Sequence, residues 1–153
     1  MPAHFELDDL TRPEVIRLLE EHLEDMYAAS PAESVHALDL EALRAPGISF
    51  WSAWEETELV ACGALKSLGD GDYELKSMRT TAAARGRGIA TALLRHLVEQ
   101  ARSRGAGRLL LETGTEDLYE PARRLYRGNG FTERPPFGSY VLDPSSVFFE
   151  LSL

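Results

Sequence analysis

At 153 residues and 17.0 kDa, with 44% of its residues hydrophobic, the chain is long enough to bury one substantial core and leaves no room for a second domain. Its formal net charge of -9 argues against nucleic acid as a partner, because phosphate contacts need Lys and Arg concentrated on one face. The single cysteine, Cys62, forbids an intrachain disulfide and makes a reducing cytoplasm the simplest setting; no apolar run is long enough to suggest a membrane partner. Met1 to Leu10 lacks the basic start and apolar stretch of a secretory signal, and the four histidines show no metal-ligand spacing.

In chain order, His4 to Asp8 reads as a short strand with Phe5 and Leu7 on one face. Thr11 stands where a helix cap belongs, with Pro13 at the first helical turn and Glu14 completing a capping box. Val15, Leu18, Leu19, His22, Leu23 and Met26 then recur at helical spacing until Ser30-Pro31 stops the pattern. A second helix is predicted from Ala32 to Leu43, closed by Ala45-Pro46-Gly47.

Ile48 to Glu55 and Glu58 to Leu68 read as antiparallel strands joined by a polar turn, and Gly69-Asp70-Gly71-Asp72 turns the chain into a third, Tyr73 to Thr80. Simple alternation would place Tyr73, Leu75, Ser77 and Arg79 on one face of that strand and Glu74, Lys76, Met78 and Thr80 on the other. After the turn Arg85-Gly86-Arg87-Gly88, residues Ile89, Leu93, Leu94 and Leu97 make the apolar stripe of a helix ending at Gly105. The run Leu109-Leu110-Leu111 within Arg108 to Thr113 suits a buried parallel strand, giving one right-handed strand-helix-strand crossover. A helix from Pro121 to Gly130, a strand from Phe131 to Arg134, a loop to Pro144 and a final strand from Val147 to Leu153 complete an α/β domain with a mixed sheet.

The informative stretch is the glycine-rich turn that opens the third long helix. A helix starting at such a turn presents unpaired amides and the positive end of its dipole, which suits a phosphate or pyrophosphate. Glycine lets an anion approach the backbone closely. A P-loop would need Lys-Ser or Lys-Thr after the last glycine, and Ile89-Ala90 stands there. The dinucleotide fingerprint would need glycine at Thr91, although Glu112 lies near the spacing of its acidic partner.

Arg85, Gly88 and Ala90 meet the pattern of Arg or Gln, two residues, Gly, one residue, then Gly or Ala, and Ala122-Arg123-Arg124-Leu125-Tyr126-Arg127-Gly128-Asn129-Gly130-Phe131 meets A-x-x-L-Y-x-x-x-G-F. On these two motifs, in this order with a strand between them, the stretch from Glu58 to Phe131 resembles the GNAT superfamily of acetyl-CoA-dependent N-acetyltransferases. Glu33 to Leu40, the LETGT run around Thr113 and the segment ending at Tyr140 are also similar to small bacterial members named indole-acetic-acid acetyltransferases.

The resemblance implies a GNAT acyl-CoA N-acyltransferase fold in one domain, 1-153, with splayed central strands, acetyl-CoA as co-substrate without a metal, and an amine of a small molecule or amino acid as acceptor. A peptide or protein N-terminus is the rival acceptor, and homodimers are common in the family. Arg85, Gly86, Arg87, Gly88, Ile89 and Ala90 would hold the pyrophosphate, Met78 and Thr80 would offer backbone groups to the pantetheine arm, Thr113 would border the gap beside Glu112, and Arg123 would reach a phosphate. Ser34, His36 and Asp39 would border the acceptor cleft, unless they simply form a polar helix face.

Acyl transfer needs a neutral amine, a stabilised carbonyl oxygen and a proton for the departing thiolate. Glu74, a carboxylate on a covered strand where some members place their catalytic glutamate, is the candidate base; its alternative is an ion pair with Lys76 or an arginine. Tyr126 is the candidate acid, and its alternative is a core aromatic beside Leu125 and Phe131. A module that senses acyl-CoA without turnover, and a dinucleotide-dependent oxidoreductase, are the competing classes.

Overall fold

The computed structural model describes residues 3–153. Among these residues seven strands form one sheet in the order β1-β2-β3-β4-β5-β7-β6. They are β1 (His4–Leu7), β2 (Ile48–Glu55), β3 (Glu58–Ser67), β4 (Tyr73–Thr80), β5 (Arg108–Gly114), β6 (Thr132–Arg134) and β7 (Ser146–Ser152). Helices α1 (Pro13–Ala29), α2 (Leu40–Leu43), α3 (Ile89–Ser103) and α4 (Glu120–Gly128) cover it. Every neighbouring pair runs antiparallel except β4 and β5, which the α3 crossover makes parallel.

Each face of the sheet has its own core. On one, Leu93, Leu94 and Leu97 of α3 pack with Val60, Ala61, Leu65, Leu75, Leu109, Leu111, Tyr126 and Phe149. On the other, Val15, Leu18 and Leu19 of α1 and Leu43 of α2 pack with Phe50, Trp54, Cys62 and Ala64. Helix α3 ends as its sequence requires: Gly105 takes φ +78, its amide donates to Arg102 and that of Ala106 reaches back to Ala101.

Three local expectations are corrected. Helix α1 starts at Pro13, but its cap is Arg12, with no side-chain cap bond; Thr11 instead bonds Asp9 through its amide and its hydroxyl, so the capping box does not form. The helix expected from Ala32 to Leu43 is a 3-10 turn (Ala32–Ser34), an extended stretch and the four residues of α2, whose amide at Ala42 is capped by Asp39. Apolar spacing in that segment was too sparse to sustain a continuous helix against those local bonds.

The third correction changes the site. Cys62 pairs with Arg79 and Ala64 with Lys76, so the single residue Gly63 faces both Ser77 and Met78. This is a β-bulge, with Ser77 at φ 55. It reverses the alternation beyond it. Met78 turns to the α3 face, 3.8 Å from where a Cβ on Gly63 would stand, and Thr80 pairs with Ala61 of that core. Arg79 joins Glu74 and Lys76 on the α1 face.

Candidate active site

Strands β4 and β5 stay paired only at Tyr73 with Leu109 and Glu74 with Leu110, and then part. A cavity of about 530 Å³ occupies the gap. Its walls come from both faces of the sheet: Ile89, Leu125 and Tyr126 on the α3 side, His22, Asp25, Met26 and Arg79 on the α1 side. The cavity therefore passes through the sheet where the two strands diverge, the usual place for a ligand in open sheets of this kind.

At one end lies the glycine turn. Gly86 and Gly88 have φ +76 and +79, and nothing within 4 Å fills the space beside either. Gly88 caps α3 without any side chain over the helix end. Among the described residues the amides of Arg85 through Thr91 donate to no protein acceptor. Unpaired amides at a helix N-terminus beside an open cavity make an anion cradle.

Met78, Thr80, Arg85, Gly86, Gly88, Ile89 and Ala90 all line the cavity. The other three residues named for cofactor binding do not. Arg87 pairs with Glu55 at 2.8 Å. Arg123 donates to the carbonyls of Gly114 (2.8 Å) and Glu116 (3.0 Å), tying down the loop after β5. Thr113 is held in register with Val147 of β7.

Tyr126 is a core aromatic that also reaches the cavity. Its ring packs on Phe131 and Phe149, with centroids 5.7 and 6.2 Å away, while the residue lines the cavity. Its hydroxyl has no protein partner among the described residues. Burial, reinforced by the charge of Glu112, holds the phenol above the usual tyrosine range, so it stays protonated at neutral pH.

Glu74 is only 3% exposed and stands off the cavity wall. Lys76 Nζ lies 3.2 Å from its Oε2, the hydroxyl of Tyr140 donates to the same oxygen at 2.6 Å, and Lys76 donates to Tyr140 at 3.0 Å. The ion pair offered as the alternative to a base is thus present, with a tyrosine that spacing alone did not bring to it. Ser34 reaches Asp143 at 2.6 Å and His36 lies edge-on to Tyr140, so the loop before β7 is fastened over this cluster.

Several groups at the site were given no chemical role from the sequence, although Glu112 was placed at the border of the gap. Glu112, on the same sheet face as Leu110 and thus as Glu74, accepts a bond from Ser146 at 2.8 Å. Burial pushes its carboxyl up to about 7, against the opposing pull of Ser146 and Lys76. His22, read as one more core position of α1, is held neutral: burial and the neighbouring Arg79 bring it down to about 4. Arg79 itself pairs with Asp25 at 2.7 Å.

The model of the acetyltransferase (GNAT) family matches residues 15–131. The chain belongs to the GNAT acetyltransferase family. This GNAT enzyme is 51% identical over 150 residues to the uncharacterized N-acetyltransferase YsnE of Bacillus subtilis, covering 98% of this chain and 99% of that one. It is 43% identical over 144 residues to the IAA acetyltransferase of Azospirillum brasilense, covering 91% and 90%. The crystal structure of PaiA N-acetyltransferase from Thermoplasma acidophilum in complex with coenzyme A superposes over the full length of both chains, with a TM-score of 0.74 at 16% identity. As a family member, the GNAT enzyme is an acetyl-CoA-dependent acetyltransferase.

Proposed function

We propose that this enzyme moves the acetyl group of acetyl-CoA to the amine of a small molecule or amino acid by direct attack. The observation that carries the reading is the set of unpaired amides from Arg85 to Thr91 at one end of a cavity whose wall includes the hydroxyl-bearing Tyr126. The pyrophosphate of coenzyme A would lie against these amides, with Arg85 beside it, and the pantetheine arm would follow β4 past Thr80 and Met78. The acceptor would come from the α1 side, past His22 and Arg79. The lone buried cysteine fits a cytoplasmic setting.

In this reading the amine nitrogen attacks the thioester carbon, the C–N bond forms and the C–S bond breaks. Tyr126 gives its proton to the leaving sulfur, and the proton left on nitrogen returns to the phenolate. Glu74 holds Lys76 and Tyr140 in place beneath the acceptor face, which is the positioning role its bonds support.

A screen of thiol release from acetyl-CoA against amines, amino acids and short peptides tests the proposal. Turnover of one or more small amines is expected. Turnover confined to peptides would move the acceptor to protein N-termini. Binding of acetyl-CoA with no thiol release from any acceptor would make the protein a sensor.

A further inference from the structure

We propose that Arg79 selects the acceptor: the amine acetylated here also bears a carboxylate, as an amino acid does, and the Arg79 guanidinium holds that carboxylate on the α1 side of the gap. This deepens the acetyl-transfer reading above and rests on it.

The starting point is an arginine that the fold buries without satisfying. Simple alternation would have put Arg79 among the leucines of α3; the bulge at Ser77 turns it to the α1 face instead, where it lines the cavity. Its side chain is 13% exposed, and among the described residues its guanidinium makes one protein bond, from Nη2 to Asp25 Oδ2 at 2.7 Å. Nε is buried and meets no acceptor. A guanidinium is a planar fork of N–H donors, and withdrawing its charge from water is costly unless those donors are engaged. In Arg79 most are idle.

Asp25 leaves the imbalance in place. Its side chain is 47% exposed, so water shares the carboxylate, and it meets a single nitrogen of the fork. The neighbouring His22 registers the result. Burial is the first cause that brings its imidazole down to about 4, and the repulsion from Arg79 then outweighs the attraction of Asp25. The α1 side of the cavity is therefore electropositive, although an acid and an arginine stand there together. Arg85, the other arginine on the wall, lies with the glycine turn, where the pyrophosphate would use it.

This asymmetry sorts the acceptors. A carboxylate fits the idle donors of Arg79 and can engage the fork with both oxygens, the arrangement in which such pairs are strongest. A polyamine would bring a second ammonium toward a buried guanidinium, and a simple amine would leave the donors idle. The same wall carries Met26 from α1 and Leu118, 52% exposed, from the 3-10 turn Asp117–Tyr119. An amino acid with an apolar side chain matches both the charge and this surface. Its carboxylate stays bound and takes no part in bond making, so the balance of the transfer described above is unchanged.

The test compares L-leucine, L-methionine and L-phenylalanine, each with its carboxamide and with the amine left when the carboxyl group is removed. The carboxamide's amine is the least protonated of each set at neutral pH, so reactivity alone would favour it. In wild type kcat/KM should instead be higher for the amino acid, by about tenfold to a hundredfold, the worth of hydrogen bonds to a charged group. Arg79→Gln should abolish that preference, and Arg79→Lys, which keeps the charge without the fork, should retain part of it. Because Asp25 is nearly half exposed, Arg79→Gln strands no buried charge, and thermal protection by coenzyme A checks that the variant is folded. A wild-type preference for the carboxamide or the bare amine, or an amino-acid preference that Arg79→Gln leaves intact, overturns the proposal.

Calorimetry gives a reading without turnover. In the coenzyme A complex the N-acetyl derivatives of the three amino acids should bind about tenfold or more tighter than their N-acetyl carboxamides, and Arg79→Gln should remove the difference. Arg79-dependent binding with no thiol release from any amine would uphold the carboxylate site and strike the acetyl-transfer reading; turnover of bare amines alone would do the reverse. Equal binding of acid and carboxamide, or binding of neither, defeats the proposal even if the amine screen succeeds.

Discussion

Gly114 and Tyr119 fit together only because the glycine has no side chain: a Cβ there would lie 2.2 Å from Cδ2 of the tyrosine ring. The ring is thereby seated over the end of β5, where its hydroxyl meets Ser30 at 3.2 Å and Ser30 in turn donates to Glu116. Because Tyr119 also lines the cavity, the fit links the end of the strand to the wall of the site.

Gly114→Ala should therefore displace the ring and destabilise the protein by about 1–3 kcal/mol, the usual range for overpacking. It should also weaken coenzyme A binding. Thermal unfolding with and without coenzyme A measures both effects, and an unchanged midpoint would contradict the fit.

The cradle makes a different prediction. Gly88 is left-handed with empty space around it, so Gly88→Ala meets no neighbour and costs only backbone strain, about 1–2 kcal/mol. The amides it orients should lose part of their convergence on the anion. Calorimetry should show weaker coenzyme A binding for Gly88→Ala, whereas Gly138→Ala, at φ +58 away from the cavity, should lose stability alone.

Tyr126→Phe removes a hydroxyl with no protein partner, so stability should stay within about 0.5 kcal/mol. Loss of the proton donor should slow thiol release by about a hundredfold or more at saturating acetyl-CoA. Stopped-flow thiol release and unfolding of the same preparation separate the two, and unimpaired release would remove Tyr126 from the mechanism.

Lys76 and Glu74 form a buried ion pair, with side chains 8% and 4% exposed. Removing one partner strands the other, so Lys76→Met should cost about 3–5 kcal/mol. Replacing both with methionine should cost much less than the sum of the single changes. Denaturant midpoints of the four proteins in that cycle provide the measurement.

Acidification acts on Glu112 and His22 with opposite signs. The Glu112 carboxyl rises from 4.5 to about 7 on folding, so its contribution to stability is fully present below pH 4.5 and is lost as pH rises through 7. His22 falls from 6.5 to about 4, so its contribution is present above pH 6.5 and is lost as pH drops through 4. Between about pH 4.5 and 6.5 the two slopes, each at most about 1.4 kcal/mol per pH unit, oppose each other. Glu112→Gln should lose stability on acidification more steeply than wild type, and His22→Gln less steeply. Unfolding midpoints followed from pH 7 to 4.5 would expose any departure from that order.

Much of the fold was legible because its signals are local. The limits of β4 follow from the Gly-Asp turn before it and its β-rich run, and Ile89, Leu93, Leu94 and Leu97 mark the buried stripe of α3. The open glycine turn was readable because Gly86 and Gly88 stand directly before the apolar stripe of α3. The polar cluster on the α1 face was not. The bond of Glu74 to Tyr140 and that of Glu112 to Ser146 span sequence separations of 66 and 34, and no periodicity encodes them. The face of Arg79 was misassigned for a subtler reason: an extra residue at Ser77 leaves no mark in an alternating pattern until the opposing Gly63 is seen.

That extra residue gives β4 two phases along one length of backbone. Upstream of Ser77 the strand keeps its phase with β3; downstream, inside and outside are exchanged. The same residues paired without the bulge would still match through the first half of the strand, yet methionine would swing toward α1 and arginine toward the leucines of α3. The cavity end of the sheet is thus set by the count of residues across the bulge as much as by side-chain identity: loss of Ser77 would restore one-to-one pairing and leave Met78 and Arg79 on the faces they hold, whereas one more residue between Ser77 and Arg79 would exchange the face of Arg79.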